Sequence, residues 1–200
     1  MTIAASTLLE AVNTVLSAIG EQPVTTYTST GNADVEAAVA ILAEVSREVQ
    51  MEGWHFNTEK EVTYTPSGGE IAFATNVYWV EPTLPSADRL TIRTGKLYNL
   101  STQSHTFTSA IDLNQIVILE WTDLPEVARR FITIRAARVF TDRYLPNQTT
   151  HAFTLQDEQR ARTMLEQREG DEANYNVLYD NSSTRRTVFR GRESLDEFGY

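Results

Sequence analysis

Three histidines, His55, His105 and His151, could act as acid–base groups or metal ligands, but none stands in an H-E-x-x-H or H-x-x-E spacing. A metal site would require the fold to gather them with carboxylates. The chain contains no cysteine, which excludes thiolate nucleophiles, disulfides and zinc ribbons. No G-x-S-x-G elbow, Walker loop or G-x-G-x-x-G fingerprint is present, and Gly68-Gly69 reads as a turn, not a phosphate cradle. Adjacent carboxylates, Asp157 with Glu158 and Asp171 with Glu172, are the closest approach to glycosidase chemistry. Neighbours on a helix point apart, whereas an acid–base pair must sit roughly 5–10 Å apart across a cleft. The residues therefore nominate no catalytic group, no metal and no cofactor.

Arginine is the other chemistry-bearing residue. Arg129, Arg130, Arg135, Arg138 and Arg143 crowd one apolar segment, and their spacing brings Arg130, Arg135 and Arg138 near one another. Two readings are open. They could pair across a subunit boundary with the amino-terminal segment, where residues 1–46 hold five acids and no base. Alternatively they pair within the chain with Asp123, Glu126 and Asp142, or reach to water. A second cluster, Arg185, Arg186, Arg190 and Arg192, lies near the carboxyl end among Val188, Phe189, Leu195, Phe198 and Tyr200.

The elements that must position these groups follow from periodicity. Leu8, Leu9, Val12, Val15, Leu16 and Ile19 share one helical face, opened by a Thr7–Glu10 capping box and stopped at Gly20. A second helix starts near Asn32–Asp34, carries Val35, Ala38, Val39, Leu42, Val45 and Val49, and ends at Gly53. From Trp54 the period becomes two: Trp54, Phe56, Thr58, Lys60, Val62 and Tyr64 alternate with polar residues, and after the glycine turn so do Ile71, Phe73, Thr75, Val77 and Trp79. A hairpin bends at Thr94-Gly95, and residues 116–121 close a set of four to six antiparallel strands.

Helical pattern resumes at Asp123-x-x-Glu126 with Pro125 in the first turn. That third helix, running to about residue 144, is apolar on more than one side and is expected at the centre. A more polar fourth helix spans about 150–169, with Phe153, Ala161, Met164 and Leu165 as its apolar stripe. The layout is α+β: a bundle of about four helices (residues 1–53 and 122–179) with an inserted antiparallel β part (54–121) and an extended carboxyl-terminal arm (180–200).

Composition agrees with a folded chain whose partners are not found through charge alone. Two hundred residues should bury about 70% of the unfolded surface. A net charge of −10 argues against tight binding to nucleic acid by phosphate neutralisation. No stretch has the roughly 18 apolar residues of a membrane span, and no basic residue precedes Arg47, so the expectation is a soluble chain without a signal peptide or membrane partner.

Several short motifs carry a family resemblance. The run from Ala11 to Val24 (AVNTVLSAIGEQPV) resembles the opening helix and turn of the tail tubular protein A family of short-tailed podophages. So do Gly31-Asn-Ala-Asp34, Gly53-Trp-His-Phe-Asn57, Leu124-Pro-Glu126 followed by Arg130, Ala136-Ala-Arg-Val-Phe140, and Asn174-Tyr-Asn176 before Leu178. They fall in order from residue 11 to 178. The resemblance implies a virion tail protein, assembled in the host cytoplasm, that forms a ring of about twelve copies. That ring would join the portal to the nozzle made by tail tubular protein B, with genomic DNA passing through it and no enzyme activity. The motifs look architectural. Gly20 and Gly53 would be helix stops, and Trp54 with Phe56 would anchor sheet to bundle.

The subunit and partner contacts expected on this reading are Arg130, Arg135, Arg138, Arg185, Arg186, Phe189, Arg190 and Tyr200. The last twenty residues have no counterpart in the resemblance. They are either disordered or an arm that orders on a neighbouring subunit or on the portal. A carbohydrate-active tail protein using paired Asp and Glu, and another head-completion protein with the same bundle, are the alternative readings.

Overall fold

The computed structural model describes residues 5–28, 31–83, 89–144 and 148–172. The expected arm over 180–200 lies outside them. Four helices, α1 (Leu8–Ser17), α2 (Ala33–Gln50), α3 (Glu126–Tyr144) and α4 (Gln148–Glu172), flank five strands: β1 (Thr58–Tyr64), β2 (Val77–Pro82), β3 (Leu90–Arg93), β4 (Lys96–Asn99) and β5 (Ile111–Val117). The order helices, strands, helices is the α+β layout.

Local chemistry explains most boundaries. The Thr7 hydroxyl accepts the Glu10 N–H at 3.2 Å while the Glu10 carboxylate accepts the Thr7 N–H at 2.7 Å, which closes the capping box of α1. Asn32 caps α2 by accepting the Asp34 N–H at 2.9 Å. The loop between them is pinned by Asn13, whose amide makes two bonds to the Val24 backbone, at 2.8 and 3.0 Å.

The start of α3 departs from expectation. Residues Trp121–Asp123 form a short 3-10 turn, and the Pro125 carbonyl takes the first helical N–H groups, from Ala128 and Arg129. Asp123 is left exposed and does not cap the helix. The Glu126 carboxylate reaches instead to Ser6, accepting from its backbone N–H (2.8 Å) and hydroxyl (2.9 Å). The acidic signal thus ties α3 to the chain entering α1.

As its periodicity requires, α3 is central: it packs against α1, α2 and α4. Its Ala128, Phe131, Ile132, Ala136 and Phe140 join Val12, Val15, Leu16, Val35, Leu42, Val45, Val49, Trp54, Ala161 and Leu165 in one apolar core. A second, smaller core of Ile71, Val80, Leu97, Phe107 and Leu113 lies within the β part.

Strands β1, β5 and β2 form an antiparallel sheet with β5 in the middle, and β3–β4 form the expected hairpin about Thr94-Gly95. The two long alternations read from sequence are broken. Residues 55–57 make a 3-10 turn ahead of β1, and a bulge between Glu59 and Val62, with Glu61 at φ 59°, interrupts the strand. The Gly68-Gly69 turn forms, but residues 71–76 contribute only an isolated bridge, so no strand runs from 71 to 79. A register shift between Val77 and Trp79 then turns Val80 inward and leaves Trp79 outside.

Candidate assembly surfaces

Two parts with separate cores meet at a junction of buried polar groups. Gln50, the last residue of α2, is fully buried. Its Oε1 accepts the Leu119 N–H at 2.7 Å and its Nε2 donates to the Leu119 carbonyl at 3.1 Å, satisfying a peptide just beyond the end of β5. Asn57 donates to the Gln50 carbonyl (2.8 Å) and the Val117 carbonyl (3.1 Å), and accepts the Trp54 N–H at 2.9 Å. Trp54 is 7% exposed, donates its indole N–H to the Val49 carbonyl, and lies parallel to Phe56 with ring centroids 6.5 Å apart. Its indole packs in the helical core, and its backbone is tied through Asn57 to the Val117 carbonyl of β5. Gly53 fits between bundle and sheet at φ +76°, where an added Cβ would stand 2.8 Å from Ile116 Cδ1.

The arginines of α3 serve several different ends. Arg135 donates to Glu48 of α2 at 3.1 Å and lies 3.9 Å from Glu158 of α4; Arg138 donates to the same Glu158 and, at 2.9 Å, to Asp142. Arg143 grips both oxygens of Glu44 at 2.8 and 3.0 Å, holding that carboxyl below its ordinary range. The pairing raises the guanidinium pKa of Arg143, and the bond to Glu158 does the same for Arg138. From α4, Arg162 is bidentate to Glu52 at 2.8 and 3.2 Å. These are clasps of α3 and α4 onto their neighbours within the chain.

Of the expected in-chain partners only Asp142 is used; Asp123 and Glu126 are not. Arg129 is buried and donates to three backbone carbonyls, those of Leu124, Ser6 and Thr122, at 2.7–3.0 Å. Arg130, in contrast, stays exposed. Arg135 and Arg138 are therefore brought together, on Glu158. Arg185, Arg186, Phe189, Arg190 and Tyr200 lie outside the described residues.

The carboxylate pair Asp157–Glu158 splits as adjacent helical residues must: Glu158 turns in to Arg138, while Asp157 faces solvent near Arg160. An open cleft of about 900 Å³ beside the sheet is lined instead by Glu61, Asp112, Thr63, Thr83 and Phe107. His55 is exposed and its backbone N–H meets the Glu169 carboxylate, whereas His105 Nδ1 sits 2.9 Å from the Leu97 carbonyl. Among the described residues no three His, Asp or Glu side chains form a group able to hold a metal ion. None of the helices described is long and apolar enough to cross a membrane.

The sequence pattern pointed to Trp54 and Phe56 at the junction but not to its buried amides, Gln50 and Asn57, nor to the sheet face. Gln50 falls one residue beyond Val49 on the apolar stripe of α2, the one sign that its amide would be buried. The outward Trp79 depends on a bulge that alternation cannot foresee. Exposed aromatics stand next to each other on β2: Tyr78 is 50% and Trp79 41% exposed. The described surface thus combines exposed aromatics on β2 with charges paired inside the chain, on a two-part α+β frame that holds no catalytic constellation among the described residues.

Relatives specify which kind. Residues 9–175 match the family described as tail tubular protein. The tail tubular protein A of Klebsiella phage KP34 is 30% identical over 162 residues, which cover 78% of this chain and 83% of that protein. The chain belongs to the tail tubular protein family, and is a structural protein of a phage tail.

Proposed function

We propose that the chain is the adaptor of a short-tailed phage: a ring of about twelve copies seated between the portal and a nozzle of tail tubular protein B, with the genome passing through its lumen. The observation that supports this is the extent of the family match, which runs through the helical bundle and the β part alike, from residue 9 to 175. A ring repeats one heterologous contact, so each copy needs two different complementary faces. The acidic first turn of α2 (Asp34 and Glu36), the exposed Arg130 and the aromatic face of the sheet supply candidates; Arg135 and Arg138 would contribute by holding α4 in place. Residues 185–200, with Arg185, Arg186, Phe189, Arg190 and Tyr200, add contacts to a neighbour or to the portal. The net charge of −10 would make the lumen repel DNA phosphates, easing passage.

Reconstitution tests the reading. Portal and nozzle proteins are mixed with and without this chain and imaged by negative-stain electron microscopy. Nozzles should attach to portals only when the chain is present. Attachment without it, or a chain that joins neither, overturns the assignment.

A further inference from the structure

We propose that the outer face of the three-stranded sheet is a docking surface for this chain's own residues 185–192. The face is defined by register. Along β5, Leu113, Gln115 and Val117 are buried, so Asp112, Asn114 and Ile116 point the other way. Trp79 and Thr58 are the partners of Ile116, Glu81 of Asn114, and Thr63 of Asp112; Gly53 covers the Thr58–Ile116 corner, so the open part of the face runs from Trp79 to Glu81 and Asp112. Two properties result. Exposed Trp79 and Tyr78 present adjacent aromatic surface at one end. Toward the other end Glu81 and Asp112 are exposed, with the Thr63 hydroxyl donating to Asp112 at 2.6 Å and the Asn114 amide 3.5 Å from Glu81. Glu59 pairs with the inward Gln115 and belongs to the other side, so the charges of this face are Glu81 and Asp112, with Lys60 and Glu61 in the β1 bulge beside it.

The complement to an aromatic and acidic face is a short basic peptide with an aromatic centre. Residues 184–192 (TRRTVFRGR) have that composition: four arginines, no acid, hence +4, around Val188-Phe189 in a chain of net −10. The chain also leaves the bundle at the right place. Near the end of α4, the Glu169 carboxylate accepts the His55 N–H, three residues ahead of β1. Residue 185 follows Glu172 by 13 positions, a reach of up to about 45 Å when extended. A seven-residue strand is only about 23 Å long, so the segment reaches the face of its own copy or of a neighbour. Phe189 covers Trp79 and Tyr78, and the arginines meet Glu81 and Asp112. This deepens the ring reading by naming one contact, yet it also holds for a single copy.

The test is photo-cross-linking in the full chain with p-benzoylphenylalanine in place of Phe189, read by peptide mass spectrometry on mixed light and heavy preparations. Cross-links should land on residues 77–83 and 111–117, and the label mixture tells own copy from neighbour. Trp79→Ala should lower their yield about tenfold, as loss of an aromatic contact would. Glu81→Gln with Asp112→Asn, which leaves the aromatics in place, should also lower it, as should salt at about 0.5 M. Cross-links to the helices, to added portal in preference to the sheet, or a yield indifferent to all these changes overturns the proposal. Sheet cross-links in a preparation that forms no ring would leave the docking standing and remove the ring.

Discussion

Replacing Gln50 by leucine tests whether the junction is held by one buried amide. The side chain is fully enclosed, and leucine is of similar volume, so the change removes hydrogen bonds without opening a large cavity. It strands two backbone groups of Leu119, the N–H now bonded at 2.7 Å and the carbonyl bonded at 3.1 Å. Each unsatisfied group costs about 1–3 kcal/mol, and the added apolar burial offsets part of that, so a net loss of about 2–4 kcal/mol is expected. In a domain this size that is a fall in Tm of roughly 5–15 °C. Chemical denaturation gives the free energy directly, with an unchanged slope showing that the unfolded state is unaffected. Ser46→Ala is the control, since Ser46 receives only one bond from the same amide, at 3.1 Å, and should cost about 1 kcal/mol or less. A Gln50→Leu loss below about 1 kcal/mol would refute the reasoning, because it would mean that the Leu119 peptide is satisfied without Gln50.

Gly53→Ala and Gly20→Ala separate backbone strain from close packing. Both residues have positive φ, which costs an L-residue about 1–2 kcal/mol, but only at Gly53 does the new methyl meet Ile116, adding about 1–3 kcal/mol. Equal losses in denaturant titrations would contradict the close approach. Trp54→Ala should cost about 3–5 kcal/mol, and a loss below about 1 kcal/mol would place the indole at the surface. Glu10, Glu44 and Glu70 have pKa values lowered from the ordinary 4.5, by the Thr7 N–H, by Arg143 and by Lys96 respectively. Folding therefore favours their charged forms, and that contribution is complete above pH 4.5 and lost as pH falls through the lower folded values. Melting scans from neutral to acid pH should show Tm declining only below that range, with the decline shallower in Glu44→Gln; a Tm independent of pH would be inconsistent with these pairs.

Helices were legible because their signals are local. The Thr7–Glu10 box, the Asn32 cap and the apolar stripes of α1 to α3 act within one or two turns, and each forms where the spacing puts it. Asp123–Glu126 shows the limit: the same D-x-x-E pattern was taken over by Ser6, 120 residues away, which offered Glu126 two donors. In the β part alternation failed at the bulges near Glu61 and Tyr78, since the extra residue of a bulge is defined only by its pairing with β5 and flips every residue beyond it. The arginine cluster was visible, but its partners Glu44, Glu48 and Glu158 come from α2 and α4. Pairing across helices cannot be read from spacing within one of them.

Whether the chain forms the proposed ring and binds portal is decided by native mass spectrometry of the purified full chain, alone and mixed with portal protein. A closed homo-oligomer of about twelve copies is expected, present alone in exchange with monomer or assembled on the portal, together with a portal–chain complex. A chain that stays monomeric in both samples, with no mass for a portal complex, would contradict it.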